Sequence, residues 1–382
     1  MKTVGIICEY NPFHAGHQKQ FDRIRAELGE DTAIVCLMSG NYVQRGMPAI
    51  FDKSLRAQAA IACGADLVLE LPTTYALCSA EGFAAGGVKI LSPFCDYLCF
   101  GCETGDVNTL TETAKALLSP DFSPALRQAL ENGCSFPAAR QKALKTLGLS
   151  GALLENPNDI LAVEYCKAIF LQNSSMKPLP IKRGGSYHAI EPDAENPSAT
   201  SLRQRIEAQK DWNCYVPQPA GEIFKNAPVH TLAMGERAIL ARLRTMSDAD
   251  FEALPYGSEG LWRKLMHACR SAATLEEILT ETKSKRYTRT RLDRMALCAY
   301  LGITQELLQA SVPYVRVLGF RQNGIPVLKK ARETASFPHV GEKQNHPYEL
   351  LEQRWDDLYG LFCADTPDSS GISRQRRVFI QK

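Results

Sequence analysis

Two histidines, His14 and His17, bracket Ala15-Gly16 shortly after an apolar run from Thr3 to Cys8. The full stretch reads Ile7-Cys8-Glu9-Tyr10-Asn11-Pro12-Phe13-His14-Ala15-Gly16-His17-Gln18-Lys19-Gln20. A strand turning into a helix here offers unpaired backbone N–H groups and the positive end of a helix dipole, which suits phosphate. Gly16 allows close backbone approach, and the imidazoles can donate to phosphate oxygens as charge builds on them. One such donor contributes ~2.7–4 kcal/mol at a transition state. The plainer alternative is that both histidines only cap the helix and pack. A second segment, Ser198-Ala199-Thr200-Ser201-Leu202-Arg203, also reads as the start of a helix. There Ser198 and Thr200 are either helix caps or phosphate ligands, and Arg203 carries a fork for two phosphate oxygens.

An alternation of strands and helices must position these groups. Thr3 to Cys8, Ala33 to Met38, Leu67 to Leu71, Tyr97 to Phe100 and Pro180 to Lys182 read as strands. Segments ending near Arg25, from Asp52 to Cys63, from Tyr75 to Leu91 and after Asp106 read as helices. This order predicts an α/β fold with a Rossmann-like, doubly wound parallel sheet, whose ligands bind beyond the carboxyl ends of the strands. Gly101 and Arg183 fall at that edge. The first leaves room for a base or ribose or is a turn glycine; the second is a ligand cation or part of a surface salt bridge. Residues 120 to 170 look helical, and so do Glu236 to Arg244 and Leu261 to Ser271. Val315 to Val327 predicts a small strand pair turning at Asn323-Gly324. Pro217-Gln218-Pro219 and a charge shift divide the chain into residues 1–215 and a mostly helical 216–382.

The composition of the 382-residue chain, 45% hydrophobic and 23% charged, excludes disordered and collagen-like classes. No apolar run approaches the ~18 residues of a membrane span. The opening residues show no leader pattern, so a cytoplasmic setting is expected, with the thirteen cysteines reduced. Cys95, Cys99 and Cys102 have an iron–sulfur-like C-x3-C-x2-C spacing. Leu98, Cys99 and Phe100 read as a buried strand whose alternate side chains point to opposite faces, so that Cys99 and Cys102 diverge; this argues against a cluster, and no metal site is expected. Residues 1–210 carry 20 basic and 22 acidic side chains, and residues 211–382 carry 24 and 20. The basic excess concentrates at Lys283, Lys285, Arg286, Arg289, Arg291 and Arg294, interleaved with Tyr287. This composition suits RNA phosphates and base stacking, or a solvated helix face. Six phosphate contacts imply a log–log salt slope of roughly −4 to −5. Arg316, Arg321, Arg374, Arg376 and Arg377 are candidates to extend the patch.

His14-Ala15-Gly16-His17 and Ser198-Ala199-Thr200-x-x-Arg203 together resemble the two signatures of the HIGH nucleotidyltransferase superfamily, with Ala199 where a second serine usually falls. Four further stretches are similar to the bacterial tRNA(Met) cytidine acetate ligase family. They are Gly5 to His14, Ser39-Gly40-Asn41-Tyr42-Val43-Gln44-Arg45-Gly46, Gly64 to Pro72, and Lys285-Arg286-Tyr287-Thr288. The resemblance spans both halves of the chain. It implies activation of acetate by ATP as acetyl-adenylate, then acetyl transfer to N4 of the wobble cytidine of elongator tRNA(Met). It also implies ATP contacts along Ile7 to Gln20 and at Gly101, Asn158 and Arg183, with His14, His17 and Arg203 catalytic. Asn158 is otherwise a helix N-cap. Mg²⁺ is expected as a phosphate partner without a protein cage, and no obligate protein partner is expected. Gln44-Arg45 and Asp52-Lys53 are candidates to serve acetate or RNA. Two other readings remain: an adenylyltransferase acting on a small phosphomonoester, and a non-catalytic, ATP-responsive RNA-binding protein.

Overall fold

Five apolar runs lie side by side as parallel strands: β1 (Thr3–Cys8), β2 (Ala33–Ser39), β3 (Leu67–Leu71), β4 (Tyr97–Cys102) and β5 (Lys177–Lys182), ordered β5-β4-β1-β2-β3. The structure is a computed structural model that describes residues 1–382 except 132, 184–196, 313–314, 335–346, 367–377 and 382. Cys8 sits opposite Met38, Ser39 opposite Leu71, and Cys102 opposite Lys182. The loops that follow the five strands therefore share one edge. Val4, Ile6, Ile34 and Cys36 enter one core with Phe21 and Ile24, while Ile7, Val35 and Leu37 enter another with Phe83 and Val88. Burial on both faces explains why these strands read as unbroken apolar runs.

The connecting helices include α1 (Ala15–Leu28), α2 (Lys53–Ala62), α3 (Ala80–Leu91), α4 (Pro157–Leu171) and α5 (Ala199–Glu207). The helix expected from Tyr75 to Leu91 is instead two, Thr73–Ala76 and α3, because Ser79 caps a new start through the Gly82 N–H. Residues 120 to 170 are helical as expected, with Phe122–Glu131 and Phe136–Thr146 preceding α4. Further on, α6 (Leu232–Thr245), α7 (Leu261–Ser271), α8 (Leu275–Thr282) and α9 (Arg289–Leu301) build a third core. Leu265, Ile278, Leu292 and Met295 fill it, and Tyr42 and Leu77 from the first half insert into it.

The strand pair expected at Val315 to Val327 does not form. Only β6 (Val317–Arg321) is extended there, and it pairs antiparallel with β3. Asn323-Gly324 leads into α10 (Gly324–Thr334). Gly324 passes so close to Asp66 that a Cβ would lie 2.1 Å from its carbonyl oxygen. After α11 (Pro347–Tyr359), β7 (Phe379–Gln381) adds to β6 in parallel. The sheet is thus mixed at this edge, and strands from beyond residue 216 complete it. The partner of β6 lies about 250 residues upstream, a pairing that no local pattern encodes. Among the described residues, no helix is long and apolar enough to cross a membrane.

Candidate active site

His14 ends the loop after β1 and is the N-cap of α1, with extended backbone angles (φ −144°, ψ 173°). Its Nδ1 accepts the Gly16 N–H at 3.1 Å, and the Nδ1 of His17 accepts the His14 N–H at 3.2 Å. The two form a reciprocal capping box. Their rings stack with centroids 3.7 Å apart. Because each Nδ1 accepts a backbone N–H, each neutral ring carries its proton on Nε2. Burial lowers the His14 pKa to about 3, assisted by the Arg183 and Arg203 charges. Burial, then His14 and Arg183, hold His17 well below its ordinary value too. Capping and chemistry are therefore not rival roles: the cap fixes the tautomer that leaves a donor for a ligand.

A cleft opens at this point, lined by His14, Gly16, His17, Lys19, Gln20 and Arg23 on one side and by Gly101, Ile181, Lys182, Arg183 and Pro197 on the other. Its empty space, counted with the open mouth, is about 620 Å³. Arg23, Ile181, Lys182 and Pro197 were not singled out in the sequence. The signal for Arg23 was its position one turn beyond Lys19, on the same helix face. Its Nη1 donates to the Lys182 carbonyl at 2.9 Å and ties α1 to β5.

The second motif lies beside this cleft, which Pro197 lines and Ser198, Thr200 and Arg203 do not. Ser198 is the N-cap of α5, its Oγ accepting the Ser201 N–H at 3.1 Å. From the second turn of α5, Arg203 donates through Nη1 to the Asn11 carbonyl at 2.8 Å and through Nη2 to the Thr200 hydroxyl at 3.2 Å. Segments 192 residues apart in sequence (Asn11 and Arg203) are thereby joined beside the histidines. The Arg203 pKa is lowered by burial, raised by Glu9 and lowered again by Arg45.

The other candidates lie in several places. Ile7, Cys8, Glu9, Tyr10, Asn11, Pro12 and Phe13 are absent from the cleft lining. Tyr10 and Phe13 pack in the core, and Asn11 Oδ1 accepts the Ile50 N–H at 2.7 Å. Gln18 bonds Asp22 on the exposed side of α1. Ala15 is simply the first residue of α1. The surface of Gly101 is covered by the Arg183 stem, whose Cγ and Cδ would lie 3.1 Å from an added Cβ. The glycine thus makes room for the Arg183 stem while itself lining the cleft. Asn158 is not the cap of α4, a position that Asn156 holds. Its Nδ2 donates to Glu103 at 2.7 Å, and Glu103 acts electrostatically on Arg183.

Asp52 and Lys53 are not available for acetate or RNA. Asp52 caps α2 by accepting the Ser54 N–H. Lys53 is 1% exposed, its Nζ held by Glu70 at 2.6 Å and Asp356 at 2.7 Å. Arg316 also lies against Glu70 and Asp356, and Arg321 pairs with Asp66 at 2.7 Å, so neither extends the basic patch. Arg374, Arg376 and Arg377 lie outside the described residues. Cys99 falls in one core and Cys102 in the other, as strand alternation requires, and Cys95, in the turn before the strand, joins the core of Cys102. Among the described residues, no group of three or more His, Cys, Asp or Glu side chains is placed to hold a metal ion.

The basic segment is divided in its availability. Lys283, Lys285 and Arg286 are exposed. Arg286 and Tyr287 bond the Glu259 carboxylate at 3.0 and 2.7 Å. Arg289 makes two bonds to Glu276, at 2.7 and 2.6 Å, and one to Asp293 at 2.8 Å. Arg291 donates to the Tyr256 carbonyl and lies over the Tyr287 ring.

With this geometry in place, comparisons identify relatives. The HIGH Nucleotidyl Transferase family matches residues 1–371. The tRNA(Met) cytidine acetate ligase of Clostridium acetobutylicum is 33% identical over 375 residues, covering 92% of each chain. Its namesake from Thermosipho melanesiensis is 36% identical, covering 95% of this chain and 91% of the relative. Among solved structures, Thermotoga maritima TmcAL in its apo form superposes with a TM-score of 0.91 at 29% identity over the full length of both chains. The same protein bound to alpha-thio ATP gives 0.89 at 28%. The chain belongs to the HIGH nucleotidyltransferase family and, within it, to the tRNA(Met) cytidine acetate ligases.

Proposed function

We propose that this protein joins acetate to N4 of the wobble cytidine of elongator tRNA(Met) at the cost of ATP, with His14, His17 and Arg203 as catalytic groups. The observation that carries this reading is the pair of neutral imidazoles held through Nδ1, which leaves Nε2–H donors in a cleft shared with Lys19 and Arg183. An acetate oxygen attacks the α-phosphorus of ATP, the bond to the bridging oxygen breaks, and acetyl-adenylate and pyrophosphate result. The histidines donate hydrogen bonds to the departing pyrophosphate, and Lys19 and Arg203 neutralise its charge. The N4 amine then attacks the acetyl carbon, loses a proton and expels AMP. A single-stranded anticodon loop makes exposing that amine cheap.

Ser198, Thr200, Gly101, Asn158 and Arg183 belong to the ATP side of this reading, the last two linked through Glu103. Mg²⁺ would enter with the triphosphate as part of the substrate, since the described residues provide no cage for it. Residues 1–215 are assigned to activation and residues 216–382 to tRNA, with Lys283 and Lys285 the foremost RNA contacts. The setting is the cytoplasm, where tRNA is found.

The test supplies ATP, Mg²⁺, labelled acetate and unacetylated tRNA and counts label in the RNA. Label that requires ATP and disappears in His17→Ala supports the reading. Pyrophosphate release with other acceptors and no label in tRNA would remove the acetate and tRNA assignments and leave the nucleotidyl transfer.

A further inference from the structure

The short hairpin after β2, Tyr42–Val43 paired with Met47–Pro48, lies between the two regions described above. On one side, the Gln44 N–H donates to the Glu9 carboxylate at 2.9 Å. Glu9 is two residues from Asn11, whose carbonyl holds Arg203. On the other side, Arg294 of α9 donates to the Gln44 carbonyl at 3.3 Å. Gly46, at φ +79°, is pressed against that helix, and a Cβ would lie 2.4 Å from the Arg294 nitrogen. No other residue fits there without moving α9, and φ in this range favours glycine in any case. The tip of the hairpin is therefore fixed at once to the loop of the histidines and to the helix that begins with Arg289 and Arg291.

Arg45 occupies that tip, half-buried. Its charge bears on Arg203, which has acidic neighbours in Glu9 and Glu207 and faces a second cation in Arg45. Cations gathered in this way favour an anion between or beside them. The triphosphate already has the histidines, Lys19 and Arg183 across the cleft. The exposed cations Lys283, Lys285 and Arg286 precede the start of α9. They and the cleft are thus linked, through Arg294 and Gly46, by the one turn that carries Arg45.

We propose that Arg45 contacts a backbone phosphate of the RNA acceptor, and that a single strand running from the Lys283–Arg291 segment to the cleft crosses the Gln44–Gly46 turn. Arg45 becomes the cation nearest the reacting nucleotide, and the hairpin sets the distance between tRNA docking and acetyl transfer. The inference rests on the tRNA reading of this site.

Arg45→Ala and Arg45→Lys test it by direct binding of unacetylated tRNA without ATP across a salt series, alongside the KM for ATP in acetate-dependent pyrophosphate exchange. Loss of one charge-assisted phosphate contact should weaken tRNA binding by about tenfold in the alanine variant and reduce the magnitude of the salt slope by about one. The lysine variant should recover most of the slope, which a merely structural role would not produce. Unchanged tRNA affinity and slope would overturn the proposal, and so would an effect confined to the KM for ATP, which would place Arg45 on the triphosphate. Failure of the wild-type protein to acetylate tRNA would instead overturn the functional reading, whatever the binding series shows.

Discussion

The His14–His17 turn and the Lys283–Arg291 segment both stand out as short motifs rich in phosphate-binding side chains, yet folding treats them differently. The first keeps its chemistry. Its hydrogen bonds to the backbone engage only the Nδ1 atoms, and each imidazole retains Nε2–H in the cleft. In the second, Arg289 is engaged by Glu276 and Asp293, and Arg291 by the Tyr256 carbonyl. A motif at a strand–helix junction carries its own geometry, because the helix start dictates where the N–H groups point. A run of cations carries none, and its availability depends on which acids the fold brings near.

The comparison is broken most directly at the histidines. His17→Ala should slow acetate-dependent pyrophosphate exchange by about 10²–10³, while tRNA affinity changes less than about twofold as expected for a site away from RNA phosphates. Equal loss of both would mean that the histidines hold the fold and not the reaction. Lys283→Ala combined with Lys285→Ala should lower the magnitude of the tRNA salt slope by about two, one for each phosphate contact, with pyrophosphate exchange as the control. An unaltered slope would take the segment out of the interface.

Arg289→Ala sharpens the contrast inside the basic segment. Because its guanidinium is already paired with two carboxylates, its removal should leave the salt slope nearly intact. Thermal melting should show a destabilisation of about 0.2–1 kcal/mol, the usual range for partly exposed pairs. A slope reduced by a full unit would show that Arg289 leaves Glu276 for RNA.

A separate effect is on acid stability. Folded His14 binds a proton only near pH 3, whereas the unfolded side chain does so near pH 6.5. His17 is shifted in the same direction. The unfolded chain thus binds more protons throughout that interval, so stability is lost as pH falls from 6.5 toward 3. His14→Asn should flatten this limb of a melting-temperature profile, and an unchanged limb would assign it to other groups.

Some features were legible because they are local. The five parallel strands follow from apolar runs bounded by turns, α1 from His14 as a cap followed by Phe21 and Ile24 on one face, and α5 from Ser198. Lys53 shows the opposite case. It looks like an ordinary cation after a strand, and only the arrival of α11 with Asp356, some 300 residues later, buries it between two carboxylates. Arg316 and Arg321 were lost to the basic patch in the same way, through Glu70, Asp356 and Asp66.

The sequence by itself determined the strand–helix alternation, the capped helix starts at His14 and Ser198 and the family they point to, since each depends on residues a few positions apart whose geometry the backbone fixes. Tertiary structure alone decided that β6 and β7 close the sheet edge, that the Arg183 stem lies over Gly101, and that Arg203 reaches Asn11. It also decided which cations remain for a ligand. These outcomes depend on contacts between residues distant in the chain, where burial and the nearest opposite charge, and not residue type, set what a side chain can do.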